Sequence, residues 1–253
     1  MQEKFRVTLC CPAPRADFVS GELHVDSELP EMEQYLAAGD AGDIVVYPEG
    51  FLRADHIADA AALAKKYGKW IVTGTDGAGD NHDLCVAVIS PADGLVYSHK
   101  KTALTVGDVA RGSTRGESIE AFATPFCAVG TILCYEVHFP EVARILALGG
   151  AQLFINTVGT GMWHEQQLYE WTTVAKARAI ENRAFIVGCT HYCDPVPMMY
   201  AYGPDGRELA LVTHERGSVT VEIDLSKITE RDWLRDRAPA LYGKLCEKQG
   251  ETL

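Results

Sequence analysis

The sequence predicts an α/β fold built as two related halves, and three observations lead there. Short apolar runs of strand length alternate with segments of helical periodicity along most of the chain. The alternation occurs twice in the same order, with a hairpin closing each pass. No linker or shift of composition divides the passes, so residues 1–253 read as one domain, with about 226–253 as a charged C-terminal tail.

Phe5 to Cys10 is the first strand, closed by Cys11-Pro12-Ala13-Pro14. Asp26-Ser27 can cap a helix that runs to about Ala38 and ends at Gly39. Asp43 to Tyr47 is a short strand that stops at Pro48-Glu49-Gly50. Ile57, Ala61, Leu63, Ala64 and Tyr67 give Asp55–Tyr67 a helical period, and Gly68 follows as a C-cap. Trp70 to Thr75 and Leu84 to Ser90 read as strands, and Pro91-Ala92-Asp93-Gly94 turns the chain into a hairpin partner, Leu95 to Lys101. The polar stretch Asp108 to Glu117 reads as a loop long enough to border a site.

The second pass starts with a strand at Ser118 to Phe122 and another at Ala128 to Leu133. Cys134 lies in the turn after it, just before a helix that Pro140 and Glu141 open and Gly149-Gly150 stop. Gln152 to Asn156 is a strand, Trp163 to Asn182 a helix, and Ala184 to Cys189 a strand. Tyr200–Tyr202 and Glu208–Thr213 flank the turn Gly203-Pro204-Asp205-Gly206, and Val219 to Asp224 closes the sheet.

Composition removes several classes of function. A formal charge of −12 supplies no basic surface for nucleic acid or an anionic membrane. No apolar run reaches the roughly 18 residues of a membrane span, and Met1-Gln2-Glu3-Lys4 does not begin a secretory signal. Eight cysteines are too dilute for a disulfide scaffold, so reduced thiols in the cytoplasm are expected.

Three polar residues fall at strand ends, where sites form in open α/β sheets: Glu49, Lys101 and Cys134. A thiol next to a helix start ionises more readily. A carboxylate can take its proton and later activate water, while an ammonium stabilises an oxyanion, which together suffice for acyl transfer. Each residue alone also has a plain structural reading: a cap for Glu49, an exposed strand-edge cation for Lys101, a core thiol for Cys134.

Tyr47-Pro48-Glu49-Gly50, His99-Lys100-Lys101-Thr102-Ala103-Leu104 and Cys134-Tyr135-Glu136-Val137-His138-Phe139-Pro140-Glu141 resemble, in order, the three signature segments of the nitrilase superfamily, the carbon–nitrogen hydrolases. Ala177-Arg178-Ala179-Ile180-Glu181-Asn182 also resembles the family, so the likeness covers nearly the whole chain. The resemblance implies a four-layer αββα sandwich, often dimeric, with no metal or organic cofactor. It assigns Cys134 as nucleophile, Glu49 as general base, Lys101 as stabiliser of the tetrahedral intermediate and the Tyr135 backbone N–H as an oxyanion donor. Lys101 rather than Lys100 carries the Lys-x-x-Leu pattern with Leu104.

Three positions depart from the family pattern. Asp108 is the nearest loop carboxylate where many members carry a second glutamate. His138 stands where arginine is frequent, and a neutral imidazole would select a different substrate group or sit as a surface histidine. Ala103 replaces a frequent histidine. Asn156, Thr157 and Trp163 border a loop where the family places substrate contacts, against an ordinary turn and a core tryptophan as the plainer reading. Cys189-x-His191-x-Cys193 on one strand face lacks a fourth ligand for a metal and is expected to line the pocket. Arg178 and Glu181, spaced i, i+3, are expected as a helix-surface pair.

The expectation is a cytoplasmic, homodimeric thiol amidase that releases ammonia from a small linear amide, with no nucleic-acid or membrane partner. A nitrilase, N-carbamoyl-amide hydrolase or acyltransferase of the same family is the alternative. A non-catalytic binding or scaffold protein with this fold is the alternative of another class. Tyrosine after the nucleophile, where nitrilases proper commonly have tryptophan, leans towards amidases.

Overall fold

Two six-stranded sheets lie face to face, and each wears a pair of helices on its outer side. In the computed structural model of the chain, residues 3–16, 24–77, 81–193 and 195–247 are described. The first half runs β1 (Lys4–Cys11), α1 (Leu29–Ala37), β2 (Ile44–Arg53), α2 (Ile57–Tyr67), β3 (Trp70–Asp76), β4 (Cys85–Ser90) and β5 (Gly94–Lys100). A short helix α3 (Val106–Ala110) and the two-residue strand β6 (Phe122–Ala123) lead into the second half. That half repeats the plan as β7 (Ala128–Leu133), α4 (Pro140–Leu148), β8 (Leu153–Thr157), α5 (Glu165–Asn182), β9 (Phe185–Cys189), β10 (Met198–Tyr202) and β11 (Glu208–Thr213). β12 (Gly217–Asp224) and α6 (Asp232–Arg235) follow.

The sheet orders are β12-β1-β2-β3-β4-β5 and β11-β10-β9-β8-β7-β6. In each, three central strands are parallel and the hairpin strands antiparallel. β12 therefore closes the first sheet by pairing antiparallel with β1, although it follows the second in sequence.

The period of two along each strand sorts side chains between the layers. Val7, Leu9, Ile44 and Val46 meet Val129, Leu133, Leu153, Ile155 and Val187 in the core between the sheets. Their neighbours Val45, Tyr47 and Ile71 face outwards onto Met32, Leu36, Ala60 and Ala64 of α1 and α2. On the other side, Ile132, Phe154 and Ile186 pack against Val142, Leu146, Ala175 and Ala179 of α4 and α5. The fold is the four-layer αββα sandwich expected. Both faces of the parallel strands are covered, which explains why those strands read as continuous apolar runs.

Three local expectations need correction. β2 does not stop at Pro48 but continues to Arg53, because Pro48–Phe51 arch out of the ladder between the pairs Tyr47–Thr73 and Leu52–Thr75. The arch crosses directly over Gly74, where a Cβ would lie 2.2 Å from the Glu49 Cα, so only glycine fits. The stretch from Asp108 is not all loop, since Thr105 caps α3 and closes a capping box with Asp108. The strand expected at Ser118–Phe122 shrinks to Phe122–Ala123. Residues 225–247 of the tail form only short helical turns, and residues 248–253 lie outside the described residues.

Candidate active site

The arch in β2, the end of β5, α3 and the turn after β7 bring four of the expected site residues together. Lys101 is 1% exposed and has its Nζ between two carboxylates, 2.8 Å from Glu49 Oε1 and 2.9 Å from Asp108 Oδ2. Burial alone would lower the Lys101 ammonium, but Glu49, the Cys134 sulfur and Asp108 outweigh it and hold its pKa above the usual lysine range. Burial likewise works to raise the Asp108 carboxyl, yet the bond to Lys101 and the Thr105 backbone donor bring it below its ordinary value. The shorter reach of aspartate is made up by α3, which carries its backbone up to the lysine. Arg111 Nη2 also donates to Asp108 Oδ1 at 2.7 Å.

Cys134 opens a 3-10 turn, Cys134–His138, and holds a φ of +49°. A left-handed cysteine costs about 1–3 kcal/mol, so the surroundings must impose it. Asn156, on β8, does so from below: its Nδ2 donates to the carbonyls of Ile132 (2.9 Å) and Cys134 (3.3 Å). Its Oδ1 accepts from the Tyr200 hydroxyl (2.6 Å) and Trp171 Nε1 (3.3 Å), so the buried amide is fully engaged. Arg178 holds the far end of the turn, with Nε on the Val137 carbonyl (2.9 Å) and Nη2 on that of His138 (3.2 Å). It is therefore not a surface residue: only its third contact, to Glu181 at 2.9 Å, is the helix pair expected.

The thiol does not gain the easy ionisation expected of a helix start. Burial and then the Glu49 carboxylate push the Cys134 pKa well up, against the opposing pull of Lys101 and the Gly159 N–H. The turn is short, and its dipole is small beside the cost of an anion in this setting. Burial beside the Glu49 carboxylate therefore favours the thiol over the thiolate. Gly159 packs so close that a Cβ there would lie 2.8 Å from Glu49 Oε2.

Two further groups fix this arrangement. His191 Nε2 lies 3.1 Å from the Glu49 carbonyl, and burial lowers its pKa to about 4, so it is neutral and donates to that oxygen. The Cys189-x-His191-x-Cys193 motif does not share one strand face, because β9 ends at Cys189, whose side chain joins the core between the sheets. No cluster of three metal-ligating side chains exists among the described residues.

Glu136 was not singled out by sequence reasoning, and it is 0% exposed. Its Oε1 accepts from the Thr102 N–H and hydroxyl, both at 2.6 Å, and its Oε2 from the Leu133 N–H (2.8 Å) and His99 Nε2 (2.9 Å). It thus ties the Lys101 segment to the Cys134 turn. The only signal was an acidic residue between Cys134 and His138, which reads as an ordinary turn residue without tertiary context.

A cavity of about 710 Å³ opens onto Glu49, Lys101, Asp108 and Cys134. Tyr135, His138, Trp163 and Trp171 contribute an aromatic wall. His138 is half-buried, set edge-on to Trp171 with ring centroids 4.9 Å apart. Burial, then the Arg178 charge, lower its pKa, so it presents a neutral imidazole. Asn156 and Thr157, expected to contact substrate, are fully buried and do not line the cavity: Asn156 supports the Cys134 turn, and Thr157 lies on the opposite face of the strand.

A model of the carbon–nitrogen hydrolase family matches residues 29–232. The omega-amidase NIT2 of Mus musculus is 28% identical over 206 residues, covering 73% of this chain and 71% of the relative. The omega-amidase NIT2 of Homo sapiens is also 28% identical, over 203 residues, 72% of this chain and 70% of that protein. Among solved structures, a carbon–nitrogen hydrolase from Helicobacter pylori superposes with a TM-score of 0.82 at 18% identity, over 97% of this chain and 99% of the other. An amidase from Nesterenkonia sp. superposes with a TM-score of 0.78 at 19% identity, over 94% and 95%, and in that structure the acetamide moiety of fluoroacetamide is covalently added at the active-site cysteine.

Proposed function

The chain belongs to the carbon–nitrogen hydrolase family, and from that premise we propose that it hydrolyses a small linear amide, releasing ammonia through a thioester on Cys134. The observation that carries this reading is the Lys101 ammonium clasped between Glu49 and Asp108 where the cavity meets Cys134. The omega-amidase relatives support the amide over the nitrile.

Glu49 takes the thiol proton as Sγ attacks the carbonyl carbon, so a thiolate exists only as the new bond forms. The carbonyl oxygen becomes an oxyanion, met by the Lys101 ammonium and the Tyr135 backbone N–H. Glu49 returns the proton to the departing nitrogen, ammonia leaves, and the acyl group remains on sulfur. Water then gives its proton to Glu49 and attacks the thioester, releasing the carboxylic acid and restoring the thiol. Asp108 keeps Lys101 charged and in place throughout.

Ammonia release from a panel of amides, carbamoyl compounds and nitriles tests the reading, with native chain beside Cys134→Ala. Loss of at least about a thousandfold in the variant is expected. Equal release from both would refute the nucleophile, and release from nitriles alone would replace amidase by nitrilase.

The same proposal places the protein in a reducing compartment such as the cytoplasm, supported by eight cysteines too dilute for a disulfide scaffold. It also makes the protein a homodimer, supported by exposed Ile145 and Leu148 on α4 and Tyr169 and Ile180 on α5. A solution mass equal to one chain would overturn the dimer. One domain with a short tail is supported by the core that the two sheets share.

A further inference from the structure

The cavity's far wall holds an ion pair that the proposed reaction does not use. Asp76, the last residue of β3, lines the cavity beside Arg15, with Oδ2 3.4 Å from Arg15 Nη2. Its other oxygen, Oδ1, is buried and accepts no hydrogen bond among the described residues. The Asp76 side chain is 35% exposed where it lines the cavity, so the accessible part of the carboxylate can accept a hydrogen bond from a ligand there.

The neighbourhood favours such a ligand. Glu28 is 2% exposed, its charge acts on Asp76, and its own Oε2 has no partner among the described residues. Arg53, the next cation, has its guanidinium on Asp55. Burial first, and Glu28 as well, raise the Asp76 carboxyl, while Arg15 opposes them.

Among the described residues, every lysine and arginine that lines the cavity already has a carboxylate. Lys101 has Glu49 and Asp108, Arg111 has Asp108, and Arg15 has Asp76. Residues 17–23 and 78–80, which flank Arg15 and Asp76 in sequence, include no lysine or arginine. A substrate ending in a carboxylate would have to share one of these cations with the carboxylate already on it, whereas an N–H donor meets an acceptor at Asp76.

We infer that Asp76 selects the substrate's distal end, and that the preferred amides carry an N–H donor there, an ammonium above all, rather than a carboxylate. The strand sets the reach. Gly74 lies under the Glu49 arch, and Asp76 follows on the same face two residues on, roughly 7 Å along the strand. An acyl chain of a few carbons spans that gap.

The inference rests on the amidase reading, so its test has two arms. In the first, kcat/KM is measured for δ-aminovaleramide, valeramide and glutaramate, which share a chain length and differ in tail charge. The ammonium tail is expected to lead the carboxylate tail by about ten- to a hundredfold, the worth of one charge-assisted hydrogen bond. Asp76→Asn, which leaves the Arg15 guanidinium without its anion, should shrink or invert that ratio. A native preference for glutaramate, or a ratio unmoved in Asp76→Asn, overturns the inference.

In the second arm, Cys134→Ala is titrated with the same three compounds, and the fluorescence of Trp163 and Trp171 reports binding. Tighter binding of the ammonium tail, lost in Cys134→Ala/Asp76→Asn, upholds the role of Asp76 even if the native chain releases no ammonia. In that case the proposed reaction fails and the selectivity stands. Equal binding of all three, or none, overturns the selectivity whatever the hydrolysis shows.

Discussion

Replacing Glu136 by glutamine keeps the shape of a fully buried side chain while removing its charge and one of its two acceptor oxygens. Four donors converge on this carboxylate, from Thr102 (backbone and hydroxyl), Leu133 and His99. An amide offers one acceptor oxygen and one NH2, so whichever way it turns, two of those donors face a donor. Hydrogen bonds to a charged group contribute about 1.5–3 kcal/mol each, and two of the four are lost. Glu136→Gln is therefore expected to lose about 3–5 kcal/mol in denaturant unfolding at neutral pH. Activity should fall further than stability accounts for, because the same carboxylate sets the Lys101 segment against the Cys134 turn. A shift of about 1 Å between them corresponds to roughly a hundredfold in rate.

The pH dependence gives a second readout of the same residue. Burial works against the Glu136 carboxylate, but His99, Thr102 and the Leu133 N–H hold its pKa below the ordinary value of 4.5. A carboxyl depressed on folding contributes stability that is complete above its unfolded pKa and is lost as pH falls through the folded one. Native stability should therefore decline in acid below about pH 4.5, and the glutamine variant should lack that part of the decline. Unfolding free energy within about 0.5 kcal/mol of native, the range of an ordinary surface change, would refute the argument. So would identical acid profiles for the two proteins.

Two other substitutions separate positioning from folding. Gly159→Ala places a methyl 2.8 Å from Glu49 Oε2, and the carboxylate must turn away from the thiol it deprotonates. The chain should remain folded, by its melting temperature, while kcat falls about ten- to a hundredfold; an unchanged kcat would show that Glu49 has another productive pose. Asn156→Leu strands the Tyr200 hydroxyl and the Trp171 N–H in the core and frees the strained Cys134 backbone. A loss of about 3 kcal/mol or more is expected in chemical denaturation, with slower alkylation of Cys134 under native conditions; alkylation at the native rate would show that the turn keeps its geometry without Asn156.

Much of the site was legible because its chemistry sits in short segments. Glu49, Lys101 and Cys134 each close an apolar run, and their order along the chain matched a known pattern. Asp108 was the doubtful member, since reach cannot be judged from spacing, and the helix that delivers it was read as loop. Asn156 looked like a substrate contact from its place at a strand end, but one step along a strand reverses the face, and its amide points into the protein rather than the cavity. Arg178 with Glu181 fitted a surface pair because i, i+3 spacing is all that a sequence displays.

By itself, the sequence determined the alternation of strands and helices, the repetition of that order in two halves, and the polar residues at strand ends that make up the candidate site. These follow from local propensity and periodicity, which act over a few residues. The tertiary structure alone decided which carboxylates clasp Lys101, what bends Cys134 into a left-handed turn, and whether its thiol rests ionised. Those outcomes depend on burial and on charges that meet across distances such as the 52 residues between Glu49 and Lys101. Electrostatic energies are set by separation in space and by exclusion of water, and neither is a property of position along the chain.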